Sequence, residues 1–159
     1  MIDVKYTIAS MISVCILTKN SSATLEKTLA SLSLFAEVVI LDNGSTDDTL
    51  KIARTFPHVT IYEERFHGFG PLRNLAAKKA SHDWILALDS DEVLSAALQK
   101  EIKGLSLERG RIYSLSRHNF YQDKRIKGCG WDRDRVLRLY LRGDTQYSDA
   151  PVHEAIEKK

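Results

Sequence analysis

The sequence predicts an α/β domain: a mostly parallel sheet flanked by helices, with a β-rich C-terminal part. Three observations predict it. Over about the first ninety residues, short β-branched runs alternate with segments of helical period, the pattern of a parallel sheet whose faces helices cover. Further on, "RIYSLSRHNFY" and "RVLRLYLR" alternate apolar and polar residues with a period of two, as half-exposed strands do. Finally, 159 residues with 43% hydrophobic content suit one domain with a true core.

The strand candidates of the first half are Ile12 to Leu17, Glu37 to Leu41, Val59 to Tyr62 and Trp84 to Leu88. Between them Leu25, Leu29 and Leu32 recur at helical spacing, as do Leu72, Leu75, Ala76 and the aliphatic stem of Lys79. Pro71 suits the first position of that second helix, where its missing N–H would have no partner anyway. Ser45 and Thr46 are expected to cap a helix after the second strand, with Asp47 and Asp48 at its positive end. Leu94, Ala97, Leu98, Ile102 and Leu105 describe another amphipathic helix, closed by Gly104 or Gly110. No repeat or flexible linker interrupts the chain, so it reads as a single domain 1–159: an N-terminal extension 1–11, a parallel half 12–105 and a β-rich appendage 106–159.

Charges nearly cancel, 23 Lys plus Arg against 21 Asp plus Glu, which gives no general argument for nucleic acid or a membrane. Their distribution is uneven. Between Arg109 and Arg142 lie ten basic residues against three aspartates, a predicted basic surface. Cys15 and Cys129 stand in unlike settings and read as reduced thiols of a cytoplasmic protein. The longest apolar runs, "ISVCIL" and "WILAL", fall far short of the roughly 20 residues of a membrane-spanning helix. "MIDVKYTIAS" lacks the pattern of a signal peptide, and Met11 is an alternative start.

In an open parallel sheet, ligands bind beyond the carboxyl ends of the strands. Three polar clusters fall there: "TKNSS" (Thr18 to Ser22), "DNGSTDD" (Asp42 to Asp48) and "DSDE" (Asp89 to Glu92). Any one alone is an ordinary turn or cap. The last is harder to read so. Three carboxylates at the mouth of a buried strand repel one another and raise their pKa values unless a cation relieves them. Mg²⁺ or Mn²⁺ would do so, shared by Asp89 and Asp91 and completed by phosphate oxygens and water. The alternative is that Asp91 and Glu92 charge the first turn of the following helix.

Taken in order, "ISVCILTKN", "EVVILDNGSTDDT" and "GPLRNLAAKKASHDWILALDSDE" resemble the nucleotide-sugar half of the family 2 glycosyltransferases, which have the GT-A fold. The resemblance covers Ile12 to about Val93. More loosely, "RVLRLYLRGDTQYSDAPVHEAI" resembles the ending of the lipopolysaccharide core β-1,4-glucosyltransferase branch. The resemblance makes 12–105 a nucleotide-sugar-binding half and 106–159 an acceptor-side part. It places Thr18 and Asn20 beside the base, Asp42 on the uracil ring, Arg73 on the nucleotide, Asp89 near the ribose or the metal's water shell, and Ser90 among the nucleotide-sugar-binding residues. It gives Asp91 the metal, with His153 near the metal or diphosphate.

There are departures. Asn43 stands where many relatives carry a second Asp. The Glu-Asp pair that supplies the base and the Arg-Trp motif of processive synthases are both missing, which speaks against processive synthesis. The chain also stops just past "VHE", so that either the acceptor site is incomplete or the chain is a fragment.

The resemblance implies an inverting, metal-dependent transfer of a sugar, glucose by family likeness, from a UDP-sugar to a glycan or lipid-linked acceptor. An acceptor hydroxyl must lose its proton to a carboxylate. Glu154 is the first candidate, then Asp132 and Asp134; for His153 and Glu154 the alternative is a surface pair. Trp131 and Tyr140 read either as sugar-stacking rings or as core. The basic stretch suits an anionic acceptor or the inner face of the cytoplasmic membrane, against a solvated strand face. Two rival classes stay open, a nucleotidyltransferase and a non-catalytic sugar-nucleotide sensor. "HGFGPLRN" lacks the full phosphate-loop spacing expected of the first.

Overall fold

The computed structural model of the chain describes residues 7–122, 124–127, 134–149 and 154–159. The four expected strands form as β1 (Ile12–Thr18), β2 (Glu37–Asp42), β3 (Val59–Glu63) and β4 (Trp84–Asp89). Each runs one residue past its apolar stretch, and that residue is polar: Thr18, Asp42, Glu63 or Asp89. Hydrophobicity stops where the core stops, but the ladder carries the backbone one step further. Thr18 pairs with Asp42, Asp42 with Glu63, and Leu17 with Asp89. The register therefore lines the polar residues up in one row at the carboxyl edge.

Strand order in the main sheet is β3-β2-β1-β4, all parallel. The C-terminal part then contributes β5 (Tyr113–Ser116), the short hairpin β6 (Phe120–Tyr121) and β7 (Lys124–Arg125), β8 (Arg135–Leu141), β9 (Thr145–Tyr147) and β10 (Ile156–Lys158). It is not a separate appendage. Strand β8 adds antiparallel to β4, pairing Trp84 with Leu141 and Leu86 with Leu139, and β5 adds outside β8. Without β8 the backbone of β4, an almost wholly buried strand, would present a row of unpaired N–H and C=O groups.

Both faces of the parallel part are covered, which is why its strands read as continuous apolar runs. Ile12, Val14, Ile16, Val38, Ile40, Leu86 and Leu88 face one layer, built from α1 (Leu25–Ala30), α2 (Thr49–Ala53) and α4 (Ala96–Gly104). Cys15, Val39, Leu41, Ile85 and Ala87 face the other, built from α3 (Phe69–Lys79) and β9. Residues 8–11 form a 3-10 turn whose Ala9 is wholly buried in the first layer, so this part of the expected extension is core.

Helix ends differ from expectation in instructive ways. Pro71 is the third residue of α3, still within the turn whose N–H groups have no helical partner. Ser45 and Thr46 do not cap α2: Asp48 holds that position without a side-chain bond, because Ser45 and Thr46 are engaged by Asp42 and Asn20. The cap that does form is Ser95, whose Oγ accepts from the Leu98 N–H at 3.2 Å. Helix α4 ends on Gly104, and Gly110 lies in the loop beyond at φ +77°.

Two contacts fix the far side of α3. Asn74 clasps the Tyr147 backbone both ways, donating from Nδ2 at 2.9 Å and accepting at Oδ1 at 2.8 Å. Arg142 Nη1 donates to the Ala77 and Ala80 carbonyls at the helix's negative end, at 2.9 and 2.7 Å. Strand β9 is thus pinned to α3, the helix that carries Arg73.

Candidate active site

The side chain that ends β4, Asp89, is gripped by two arginines. Arg73 Nη2 donates to Asp89 Oδ1 at 2.6 Å, and Arg138 Nη2, from β8, donates to Asp89 Oδ2 at 2.7 Å. Arg73 is 8% exposed and Arg138 6%. Each reaches a second carboxylate: Arg73 Nε donates to Glu154 Oε1 at 2.7 Å, and Arg138 Nη2 to Glu92 Oε1 at 2.7 Å. Glu92 in turn folds back so that its Oε2 accepts the Asp89 N–H at 3.0 Å.

The cations that relieve Asp89 and Glu92 in this structure are the protein's own guanidinium groups. Burial pushes the Asp89 carboxyl upward, but Arg138 and then Arg73 outweigh it and hold Asp89 below the ordinary carboxylate range. The helix-charging alternative also lapses, because α4 starts only at Ala96, beyond the acidic turn.

Asp91 differs from its neighbours. It is exposed on the turn, and among the described residues its carboxylate carries neither a hydrogen bond nor an ion pair. Among the described residues no three His, Cys, Asp or Glu side chains converge as a complete ligand set. A small hard cation needs only one or two carboxylates when a diphosphate and water supply the remaining oxygens. Asp91 fits that role, and Asp89 is the lesser donor, since both of its oxygens already meet guanidinium groups.

The loops after β1 and β2 are knitted by the residues expected to touch the base. Asp42 is wholly buried. Its Oδ1 accepts from Thr18 Oγ1 at 2.8 Å and from Ser45 Oγ, and its Oδ2 accepts from the N–H groups of Gly44 and Ser45 at 3.0 and 2.8 Å. A carboxylate has about four acceptor positions, and here all are used. The uracil contact expected of Asp42 has no position left, so in this arrangement Asp42 organises the loop. Gly44, at φ +86°, supplies the backbone turn that brings both N–H groups round. Asn20 acts likewise, its Oδ1 accepting from Thr46 N–H at 2.8 Å. Ser90 ties the acidic turn to the rest: its Oγ lies 2.9 Å from Ser21 Oγ, and its carbonyl accepts from Thr24 and Thr28, each at 3.0 Å.

Above this floor lies a cleft of about 310 Å³, bordered by Thr18, Lys19, Asn43, Phe69, Arg73 and Ser90, with Asp89 at its base and Phe66 beside Phe69. Asp42 and Asn20 do not reach it. The structure thus brings Thr18, Arg73, Asp89 and Ser90 to one cavity and Glu154 to its arginine. Phe66, Phe69 and Arg138 are additions. The available signal for the first two was an aromatic pair in the otherwise polar "ERFHGFG"; Arg138 was hidden among ten basic residues.

Asp134 is taken by Arg117, whose Nε donates at 2.8 Å and whose Nη2 lies 2.7 Å away as an ion pair, and by Asn119, which donates at 3.3 Å. These bonds hold its carboxyl below the ordinary range, which makes it a poor proton acceptor. Asp132, His153, Trp131 and Cys129 lie outside the described residues. Tyr140 is core, its ring edge-on to Tyr147 at 5.7 Å, and does not offer a face to a sugar.

Five of the ten basic residues of the predicted surface are paired with carboxylates. Arg109 pairs with Asp144, Arg111 with Glu108, Arg117 with Asp134, Arg138 with Asp89 and Glu92, and Arg142 with Asp83. Among the described residues no helix is long and apolar enough to cross a membrane.

A parallel sheet with an acidic turn at its carboxyl edge, faced by cationic side chains beside a polar cleft, defines an α/β protein of the GT-A fold. The chain belongs to glycosyl transferase family 2, which it matches over residues 13–150. It is 30% identical over 158 residues to LpsC, a lipopolysaccharide core biosynthesis glycosyltransferase of Rhizobium meliloti, covering 91% of this chain and 56% of that protein. It is 38% identical over 134 residues to an uncharacterized glycosyltransferase of Rickettsia typhi, covering 81% and 46%. Among solved structures it is similar to S. aureus TarS 1-349 in complex with UDP-GlcNAc, with 30% identity, a TM-score of 0.51, and 57% of this chain and 29% of that one covered. The mannosyltransferase PcManGT of Pyrobaculum calidifontis, in complex with GDP-Man and Mn²⁺, shares the fold at 22% identity and a TM-score of 0.52, over 62% of this chain and 32% of that one. The chain spans 46% and 56% of the length of these two relatives.

Proposed function

We propose that this chain is the donor-binding part of a metal-dependent inverting glycosyltransferase. It moves a sugar, glucose by family likeness, from a UDP-sugar to a glycan or lipid-linked acceptor of the lipopolysaccharide core type. One observation carries the reading: Arg73 joins Asp89 and Glu154 at the cleft, and its buried Nη1 has no hydrogen-bond partner among the described residues. A buried guanidinium N–H left unpaired at a polar cleft is costly and is matched by a phosphate oxygen. Similarity to LpsC supports the acceptor class, and similarity to TarS with UDP-GlcNAc supports the donor class.

Asp91, with Asp89 beside it and His153 outside the described residues, would hold Mg²⁺ or Mn²⁺, which when bound neutralises charge on the diphosphate. The protein's own groups then have distinct tasks. Arg73 binds the diphosphate as it leaves with the electron pair of the broken anomeric C–O bond. Glu154, oriented by Arg73 through Oε1, takes the proton of the acceptor hydroxyl on Oε2 as the new C–O bond forms on the opposite face. Peripheral contact with an anionic membrane falls to the exposed β6–β7 hairpin, where Phe120 and Tyr121 pair with Arg125 and Lys124.

A thermal-shift panel of nucleoside diphosphates with and without Mn²⁺ tests the donor site. Stabilisation by UDP above the others is expected, and no response to any would sink the reading. Glu154→Gln is expected to abolish release of UDP from a UDP-sugar in the presence of acceptor; retained turnover would remove Glu154 from the mechanism.

A further inference from the structure

We propose that Tyr147 is a positioning residue for Arg73, its ring holding the guanidinium at the tilt that presents Nη1 to the cleft. The proposal rests on the donor reading above and assigns part of that site to the β9–β10 hairpin.

Arg73 enters the cleft from α3 with two carboxylates on its edge. Asp89 takes Nη2 at 2.6 Å and Glu154 takes Nε at 2.7 Å. Bonds made along the edge of a planar guanidinium fix its direction within the plane, but leave the plane free to rock about the line that joins them. A contact on the face stops the rocking, and Tyr147 supplies it: the Arg73 Cζ stands over its ring, 5.4 Å from the centroid. Burial pushes the Tyr147 hydroxyl above its ordinary value, so the ring is a neutral phenol whose electron-rich face is offered to the cation.

The ring is itself held against movement. Tyr147 is 4% exposed. Its backbone N–H and carbonyl are both taken by Asn74, the residue after Arg73 on α3, at 2.8 and 2.9 Å. The ring meets Tyr140 edge-on at 5.7 Å, and across the hairpin Tyr147 pairs with Ile156. Glu154 lies just before that partner in the chain. One hairpin therefore delivers both the face contact and an edge contact to the same arginine. Tyr147 does not border the cleft, so it acts only through Arg73.

Tyr147 also belongs to the apolar layer on this face of the sheet. Its π face separates the two roles. The hydroxyl is buried without a hydrogen-bond partner among the described residues, so phenylalanine keeps the contacts that tyrosine makes. Leucine and methionine stay apolar and lose the face.

The test is calorimetric titration of inorganic pyrophosphate with Mn²⁺ into the wild-type chain, Tyr147→Phe, Tyr147→Leu and Tyr147→Met, with Tyr147→Leu repeated on an Arg73→Lys background. Affinity is expected to fall about ten-fold in the Leu and Met variants, the scale of one desolvated cation–π contact, and to be restored in Tyr147→Phe. On the Lys background, where the ammonium is a point charge with no plane to hold, the Leu substitution is expected to cost little more. A ten-fold loss that persists on that background, or a loss as large in Tyr147→Phe, would overturn the proposal and leave the donor reading intact. So would full affinity in whichever of the Leu and Met variants folds, or failure of both to fold, which would make the ring a packing element. A wild-type chain that binds no pyrophosphate would overturn the donor reading and the proposal with it.

Discussion

Arg138 and Asp89 are 49 residues apart in the chain and 2.7 Å apart in space. One belongs to the antiparallel strand β8 and the other ends the parallel strand β4, so the contact joins the two parts of the sheet at the candidate site. Charge on Asp89 and Glu92 is balanced by the protein itself before any ligand arrives.

Replacing Arg138 by Leu should therefore be costly. It strands Asp89 and Glu92 with one cation fewer in a half-buried setting. Breaking a fully buried pair costs roughly 3–5 kcal/mol, and because Asp89 keeps some solvent the expected loss here is about 2 kcal/mol. Urea denaturation of wild type and variant measures it, and an unchanged midpoint would show the pairing to be energetically idle.

Acid should weaken the fold through Asp89. Its carboxyl is held lower in the folded chain than in the unfolded one, so on acidification the unfolded state takes up the proton first. The contribution is complete above the ordinary carboxylate range near pH 4 and is lost as pH falls below it. Asp89→Asn is expected to flatten that acid limb in a stability-versus-pH series.

Asp42→Asn should destabilise the chain and damage the cleft together. An amide nitrogen in place of a carboxylate oxygen would face the donors of Gly44 and Ser45, or of Thr18 and Ser45, leaving buried groups unpaired at about 1–3 kcal/mol each. Thermal melts with and without UDP measure both effects.

Asp91→Asn should do the reverse. With no partner to lose among the described residues, it is expected to melt within about 1 °C of wild type, as an exposed substitution of under about 0.5 kcal/mol should. Its stabilisation by UDP with Mn²⁺ should vanish. Undiminished stabilisation would take Asp91 out of the metal site.

Cys15 should resist thiol reagents until the sheet opens. It is buried at the centre of β1, and burial pushes its thiol well above the usual range. Labelling kinetics across a denaturant series should follow global unfolding.

Much of this was legible because β-branched runs and polar strand ends obey local rules. The parallel half, its strand ends and the carboxyl edge followed from period and composition. Asp42 was read as a base contact, but its four donors come from three residues in two segments of chain, and no spacing announces that saturation. Arg138 was invisible among basic neighbours because its meaning depends on which strand β8 pairs with, a long-range choice. Ser45 misled for a similar reason: a good capping residue was claimed by a stronger acceptor nearby.

The sharing of β4 has a bearing on how such proteins diversify. A lineage that grafted a new acceptor-recognising segment at residue 106 would discard the arginine that quiets the acidic turn. A splice point must therefore lie at least beyond Leu141, where β8 has been kept, so the part free to vary is shorter than the change in sequence texture suggests.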